Sequence, residues 1–339
     1  NEVTVEYLTT AGAAANGLKN LTLDSGIGIY QKVDFVLSDI VTASGGAERE
    51  GINTIKHLAP LDYQRQNRAV TAEDYKTIIL NNIGDLEFVH VWGGEENEPP
   101  VYGKVFIAIK PSSTQFLSAA QKTDILATVQ KFNVVGILPE IIDPTYLYVS
   151  LDAKVNYNKD KTTLQLNAFE SKISDAIDQF FIDATLDYDI TFKYSSLLAA
   201  IDQADNSVIS NIVDVQIYQL FRPNASEYTT YYLEYKNGIN PESVISDTWT
   251  DINTNTQQLK DDGLGNIDLY INDVLTNAAV GTVDYTNGII SIIDFDANIS
   301  STDVSYKMKM TPDTLDISVV RNHIFTKGDI NITATSIEK

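Results

Sequence analysis

The chain has 339 residues and carries 24 Lys and Arg against 46 Asp and Glu, a net charge of −22. That balance repels phosphate backbones and anionic lipid, so it argues against nucleic acid and membrane surfaces as partners. The absence of cysteine excludes disulfides and thiolate metal sites, and the length allows two or three domains with cores of their own.

The chain opens on Asn1-Glu2-Val3-Thr4 with no secretory segment, and its two methionines are Met308 and Met310. It therefore reads as a mature form or as part of a longer protein. Gly26-Ile27-Gly28 lacks the third glycine of a dinucleotide loop and reads as a turn. Val33 to Val41 is a strand candidate, and Gly45-Gly46 marks the next turn. From Glu48, the residues Ile52, Ile55, Leu58 and Ala59 recur at helical spacing, and Pro60 is expected to stop that helix. Thr71 stands three residues before Asp74, a capping-box spacing. Tyr75, Ile78, Ile79 and Ile83 form the apolar stripe of the helix that follows, and Gly84 is its expected end. Phe88 to Trp92 reads as a strand, and the polar run Gly93 to Pro100 as a solvated boundary loop.

Taken in order, Gly45-Gly46, Glu48, His57-Leu58-Ala59-Pro60 and Asn67 to Thr71 with Asp74-Tyr75 resemble the signature of the baseplate J family of contractile phage tails. Ala47 stands where members of that family more often carry an acidic residue. The resemblance implies a structural protein, not an enzyme, without catalytic residues, cofactor or metal. It implies a homodimer within a wedge, a higher ring around the tail hub, and contacts with other wedge and hub-proximal proteins. It also implies a rearrangement on tail contraction, a place in the baseplate of the virion, and assembly in the host bacterial cytoplasm. On this resemblance the chain is the C-terminal portion of a longer wedge subunit. The structural or interface candidates are Gly45, Gly46, Glu48, Arg68, Thr71, Asp74 and Tyr75. Arg49, Lys56, Arg65 and Arg68 add a local positive cluster. It is either a solvated helix face or a docking surface for an acidic partner, including another copy of the chain.

From Lys104 the pattern becomes α/β. Val105, Phe106, Ile107 and Ile109 make a buried strand, and Ser118 with Gln121 caps a helix carrying Ile125, Leu126, Val129 and Phe132. Leu147 to Tyr157 alternates as a long strand with one wet face. A helix with Leu166, Phe169, Ile173, Ile177 and Phe180 follows, then a short helix at Ser196 to Asp202 and a strand through Val213, Val215 and Ile217. This order suggests a compact sheet with helices on one face. It resembles the ferredoxin-like middle of baseplate J proteins.

Beyond Arg222-Pro223-Asn224 helical periodicity ends. Ile267, Leu269 and Ile271 alternate, as do Val304, Tyr306, Met308 and Met310. Asn287-Gly288 between apolar runs is a hairpin turn, and Lys236-Asn237-Gly238 is a similar one. The fold class expected is α+β multidomain, with an α/β signature region over 1–103, a ferredoxin-like domain over 104–222, and an all-β, sandwich-like domain over 223–339. The hinges expected are Gly93 to Pro100 and Arg222 to Asn224.

Catalytic and metal motifs find little support. His57, His90 and His323 have no partner at metal-ligand spacing, and no Gly-x-Ser-x-Gly elbow occurs. Asp294, Asp296 and Asn298 start like a calcium loop, but Ile299 and Ser305 stand where glycine and a bidentate Glu are needed. Asp261 to Asn266 reads as a polar turn before it reads as a metal loop. Sequons at Asn20, Asn224, Asn298 and Asn331 are chance matches in an Asn- and Thr-rich chain. The alternative function is a carbohydrate- or receptor-binding tail module. In that reading Tyr228, Tyr231, Tyr232 and Tyr235 of the β region stack on sugars, although strand propensity alone accounts for aromatic residues there.

Overall fold

The computed structural model describes residues 68–337 apart from 85, 98, 185–190, 224–227, 300–303 and 320, and before residue 68 only 12–15, 21–22, 34–35, 51–52, 56, 60 and 63. The chain divides into two compact units, Asn1–Pro144 and Thr145–Lys339. That division lies at 144, and the boundaries expected from the sequence lie at 103 and 222.

In the first unit, β1 (Leu21–Thr22) pairs antiparallel with β2 (Asp34–Phe35). Ile52, Lys56, Pro60 and Tyr63 are all helical. Pro60 therefore does not end helical structure here, since the fixed φ of proline is itself helical. Next come α1 (Ala72–Asn82), β3 (Leu86–Gly93), β4 (Lys104–Pro111), α2 (Ala119–Gln130) and β5 (Leu138–Ile142). The sheet order is β3-β4-β5, antiparallel then parallel, with Val91 opposite Ile107 and Ile107 opposite Ile141. The helix α1 buries Tyr75, Ile78 and Ile79 at i, i+3, i+4 spacing, and α2 buries Ile125 and Val129. They pack on Val89, Val91, Ile107 and Ile109 in one core.

The expected hinge at Gly93 to Pro100 is the connection of a β-hairpin. Gly94–Glu96 forms a short 3-10 turn, and Val101 N–H donates to Gly94 O at 2.7 Å. Trp92 Nε1 donates to Asn97 Oδ1 at 3.0 Å. Strands paired residue by residue on both sides of this loop leave no domain boundary there.

The second unit holds β6 (Thr145–Tyr157), α3 (Leu166–Ala184), β7 (Thr191–Phe192), α4 (Tyr194–Ala204) and β8 (Val208–Phe221). It continues with β9 (Thr229–Glu234), β10 (Ile245–Ser246), β11 (Trp249–Thr250), β12 (Thr256–Asp261), β13 (Asn266–Ile271) and β14 (Val274–Asp284). The last strands are β15 (Ile289–Phe295), β16 (Tyr306–Met310), β17 (Ile317–Ser318) and β18 (His323–Ser336). One sheet runs β18-β6-β8-β16-β10-β12-β13-β14-β15-β9, with β11 added on β12.

Two expectations change here. The strands of 104–222 do not form one ferredoxin-like sheet: β4 and β5 belong to the first unit, and β6 and β8 to the long sheet of the second. Nor is 223–339 a sandwich of its own, because β16 pairs with β8 and β18 runs parallel beside β6. The mixed α/β character and the β-rich C-terminal region stand. Arg222 lies between strands of one sheet and donates to Ser305 Oγ at 2.8 Å, so it is no hinge; Asn224 lies outside the described residues.

Both helices cover one face of β6 and β8. Phe169, Ile173 and Ile177 of α3, with Leu197 and Ile201 of α4, share a core with Leu147, Val149, Leu151, Val213, Val215 and Ile217. Further along, the path of strands brings β9 back toward its start. Tyr235 Oη donates to Met308 O at 2.6 Å, and Gln219 Nε2 donates to Glu234 O. Trp249, Phe295 and Phe221 meet edge to face inside.

Lys172 Nζ on α3 meets Asp205 Oδ2 at 2.8 Å, and Ser207 N–H donates to the other oxygen at 2.9 Å. The hydrogen bond from Lys172, then those from Ser207, lower the Asp205 carboxyl from 3.8 to about 2. A depressed carboxyl adds stability that is present above its unfolded value and is lost as pH falls through its folded one. Stability should therefore drop between about 4 and about 2 as this group protonates. Urea midpoints across that range should fall less steeply for Asp205→Asn than for the parent chain.

Candidate functional site

Of the seven signature residues, Gly45, Gly46 and Glu48 lie outside the described residues, and Arg68 is exposed. Thr71, Asp74 and Tyr75 come together at the start of α1. Asp74 Oδ2 accepts from Val70 N–H at 3.0 Å and Thr71 N–H at 2.9 Å, and Thr71 Oγ1 accepts from Asp74 N–H at 3.2 Å. This is the reciprocal capping box read from the sequence. Tyr75 is fully buried and its hydroxyl donates to Asn133 Oδ1, while Asn133 Nδ2 donates to Ile137 O. Burial, then the charge of Asp74, raises the Tyr75 phenol. Beside it, Ala69 N–H donates to Phe132 O at 2.8 Å, and Ala69 bridges Asn133.

These residues form a latch. They hold the segment before α1 against the turn after α2 and leave Arg68 at the surface. Thr71→Ala should cost about 1 kcal/mol through the lost cap. Tyr75→Phe should cost about 1–2 kcal/mol, because Asn133 Oδ1 loses its donor in a partly buried place. Chemical unfolding of the two variants measures both. Of the positive cluster, Lys56 and Arg68 are described and exposed, while Arg49 and Arg65 lie outside the described residues.

The polar loops of the β region are self-capped turns. Asp262 accepts from Leu264 N–H at 2.7 Å, Asn266 N–H at 3.0 Å and Asn266 Nδ2 at 2.7 Å. Asp251 and Asp284 hold Asn255 and Asn287 in the same way. The Asn266 and Asn287 donors lower the Asp262 and Asp284 carboxyls. Asp296 accepts from Asn298 N–H at 2.8 Å, the same turn chemistry. Among the described residues no group of three His, Cys, Asp or Glu is placed to hold a metal. His90 stacks on Trp92, and His323 is buried with Nε2 2.9 Å from Glu234 O; His57 lies outside the described residues.

The four tyrosines do not form one platform. Tyr235 is fully buried and Tyr231 packs edge-on to Phe221. Tyr228 and Tyr232 are 73% and 60% exposed. Strand alternation separates the pairs, two inward and two outward.

Residues 71–142 match the family described as "Baseplate structural protein gp6, C-terminal domain I", and residues 145–219 match "Baseplate structural protein gp6, C-terminal domain III". The chain is 30% identical over 257 residues to "Baseplate wedge protein gp6" of Enterobacteria phage T4. The chain is similar to gp6. The alignment takes in 73% of this chain and 38% of the T4 protein, so the chain spans well under half of gp6. The join between the two gp6 domain matches, at 142 to 145, falls where the compact units divide. Domain I contains the Thr71–Asp74–Tyr75 latch, and domain III supplies β6, α3, α4 and β8. A solved structure, "Cryo-EM structure of the anti-feeding prophage (AFP) baseplate, 6-fold symmetrised", aligns over 54% of this chain and 44% of that one, at 13% identity and a TM-score of 0.37. That likeness is too remote to bear on the fold.

Sequence reasoning passed over one place. A cavity of about 650 Å³ opens in the second unit, lined by Ile212, Asp214 and Gln216 of β8 together with Tyr194, Lys309 and Leu315. Its sequence signal is Pro312, which cannot continue a ladder after β16.

Proposed function

We propose that this chain is a structural, non-enzymatic subunit of a phage tail baseplate wedge, of baseplate J type, located in the virion. The observation that carries the reading is the 30% identity to gp6 over 257 residues, supported by two gp6 C-terminal domain matches set end to end on the two compact units. In this reading the chain pairs with a second copy and closes into a ring around the tail hub. It contacts other wedge and hub-proximal proteins, after assembly in the host cytoplasm. A rearrangement on tail contraction is taken up at the Pro144–Thr145 join. Arg68, exposed just before the α1 latch, serves as one docking contact for an acidic partner.

Immunogold labelling of the virions that carry this chain tests the placement. Label at the baseplate end of the tail is expected, and label along the sheath, on the head or nowhere rejects it. Light scattering over a dilution series tests pairing separately. A mass of twice 37.5 kDa supports a dimer, and a mass of 37.5 kDa at all concentrations rejects self-pairing by this portion alone.

A further inference from the structure

Exposed apolar side chains of the first unit gather around the turn that follows α2. The chain enters α1 through Arg68-Ala69-Val70, and Ala69 bridges Asn133 in that turn. Val70 and Val134, which follow the bridged pair, are both exposed. At the far end of the turn Leu138 N–H donates to Gly103 O at 2.9 Å, which sets Leu138 beside Tyr102-Gly103. Val135 is fully exposed, Tyr102 is 80% exposed and Leu138 65%. Apolar residues scattered singly over a surface are ordinary, but several on one turn and its neighbours make a patch of the kind that marks an interaction site.

The turn is held in shape despite its exposure. Tyr75 Oη donates to Asn133 Oδ1, Asn133 Nδ2 donates to Ile137 O, and Ile137 N–H donates to Val134 O at 3.3 Å. Gly136 supplies the φ of +98° that brings the chain round. A surface ordered before binding loses little freedom when it is covered.

Backbone pairing is a poor way to cover it. β5 is the last strand of its sheet, and Pro139 is its second residue. Proline on an edge strand opposes the addition of another strand. Side chains must therefore make the contact.

Charge indicates which side chains. Arg68 and Lys131 stand on either side of the bridge, both exposed, and among the described residues neither is paired with a carboxylate. Lys104, Lys110 and Lys122 of the same unit are paired, with Glu140, Glu87 and Asp143, at 2.6 to 2.7 Å. The nearby carboxylates are engaged elsewhere. Asp74 sits in the α1 cap, Glu140 meets Lys104, and Glu96 accepts the Gly93 N–H at the end of β3, with β4 between it and β5. Glu73, on the first turn of α1, is exposed.

We propose that Tyr102, Val134, Val135 and Leu138, flanked by Arg68 and Lys131, form a docking surface for an amphipathic helix of a partner protein whose apolar stripe is bordered by Asp or Glu. The apolar stripe covers the turn, with Tyr102 as the aromatic anchor, and the acidic border meets the two unpaired cations. The proposal rests on the reading of Arg68 as a docking contact and not on the baseplate placement. Immunogold labelling decides the placement, and binding by the isolated chain decides this surface.

The test is an mRNA-display library of peptides with helical periodicity and randomised side chains, selected against the full chain. The result expected is enrichment of apolar residues at i, i+3, i+4 spacing next to Asp or Glu. Val135→Asp should weaken the selected peptides about tenfold or more. It alters a fully exposed side chain, so its thermal midpoint should match the parent, and Tyr102→Ser is the second variant should that midpoint fall. Arg68→Glu combined with Lys131→Glu should weaken binding about tenfold, and added salt should do the same to the parent chain. Glu73→Lys, which raises the positive charge beside Arg68, should leave binding equal or stronger. No enrichment, selection of basic peptides, or binding that survives Val135→Asp and Tyr102→Ser overturns the proposal. A concentration-dependent dimer broken by Val135→Asp makes the occupant a second copy and overturns it as well.

Discussion

Phe169→Ala should destabilise the second unit by about 3–5 kcal/mol, the usual cost of deleting a fully buried aromatic ring. Phe169 has no exposed surface and stacks on Tyr157 with ring centroids 4.4 Å apart. It lies on α3 in line with Ile173 and Ile177, all buried against β6 and β8. The cavity left by the ring is closed on one side by a sheet that cannot collapse into it, because β6 is paired with both β18 and β8. The measurement is urea unfolding followed by tyrosine fluorescence. A loss below about 1 kcal/mol would mean that α3 moves to fill the space, against the close packing of protein cores.

Gly288→Ala should cost about 3–4 kcal/mol, a large effect for one methyl group. Gly288 ends the turn between β14 and β15 with φ +67°, where an L side chain is strained. An added Cβ would also lie 2.0 Å from Asn237 O, a backbone atom. Asn237 cannot yield freely. Its Nδ2 donates to Ser318 O at 2.9 Å, and its Oδ1 accepts from Ser318 N–H at 2.9 Å. Gly288 O in turn accepts from Tyr235 N–H at 2.8 Å. The methyl group therefore pushes on two turns at once. Thermal unfolding measures it, and an unchanged midpoint would mean that the turn reopens without loss of pairing.

Local elements were legible because their causes are local. The caps of α1 and α2 need residues three apart, and both appear in the structure as the spacing of Thr71 with Asp74 and of Ser118 with Gln121 requires. The Asn287-Gly288 turn needs positive φ, and glycine declares it. The alternation of Leu147 to Tyr157 shows which side of β6 is buried. Tyr75 was marked by its place in the signature, but its role in holding Asn133 was not legible. The two residues are 58 apart, and nothing in either neighbourhood signals the other.

Which strands share a sheet was not legible, for the same reason. Pairing between strands leaves no mark in the composition of either, since any apolar alternating segment accepts any other. The sequence of this protein determined which segments are helix and strand, which faces they bury, and a chemistry of turns and caps without a motif for catalysis. Only the tertiary structure decided that β18 lies beside β6 across some 170 intervening residues, merging the C-terminal strands with the α/β segment. It also decided that Pro312 is drawn to Ile239, so that among the described residues no strand pairs with Val208 to Gln216 on the side away from β6. Those outcomes depend on loop closure and on the packing of distant apolar faces, which are set by the whole chain at once.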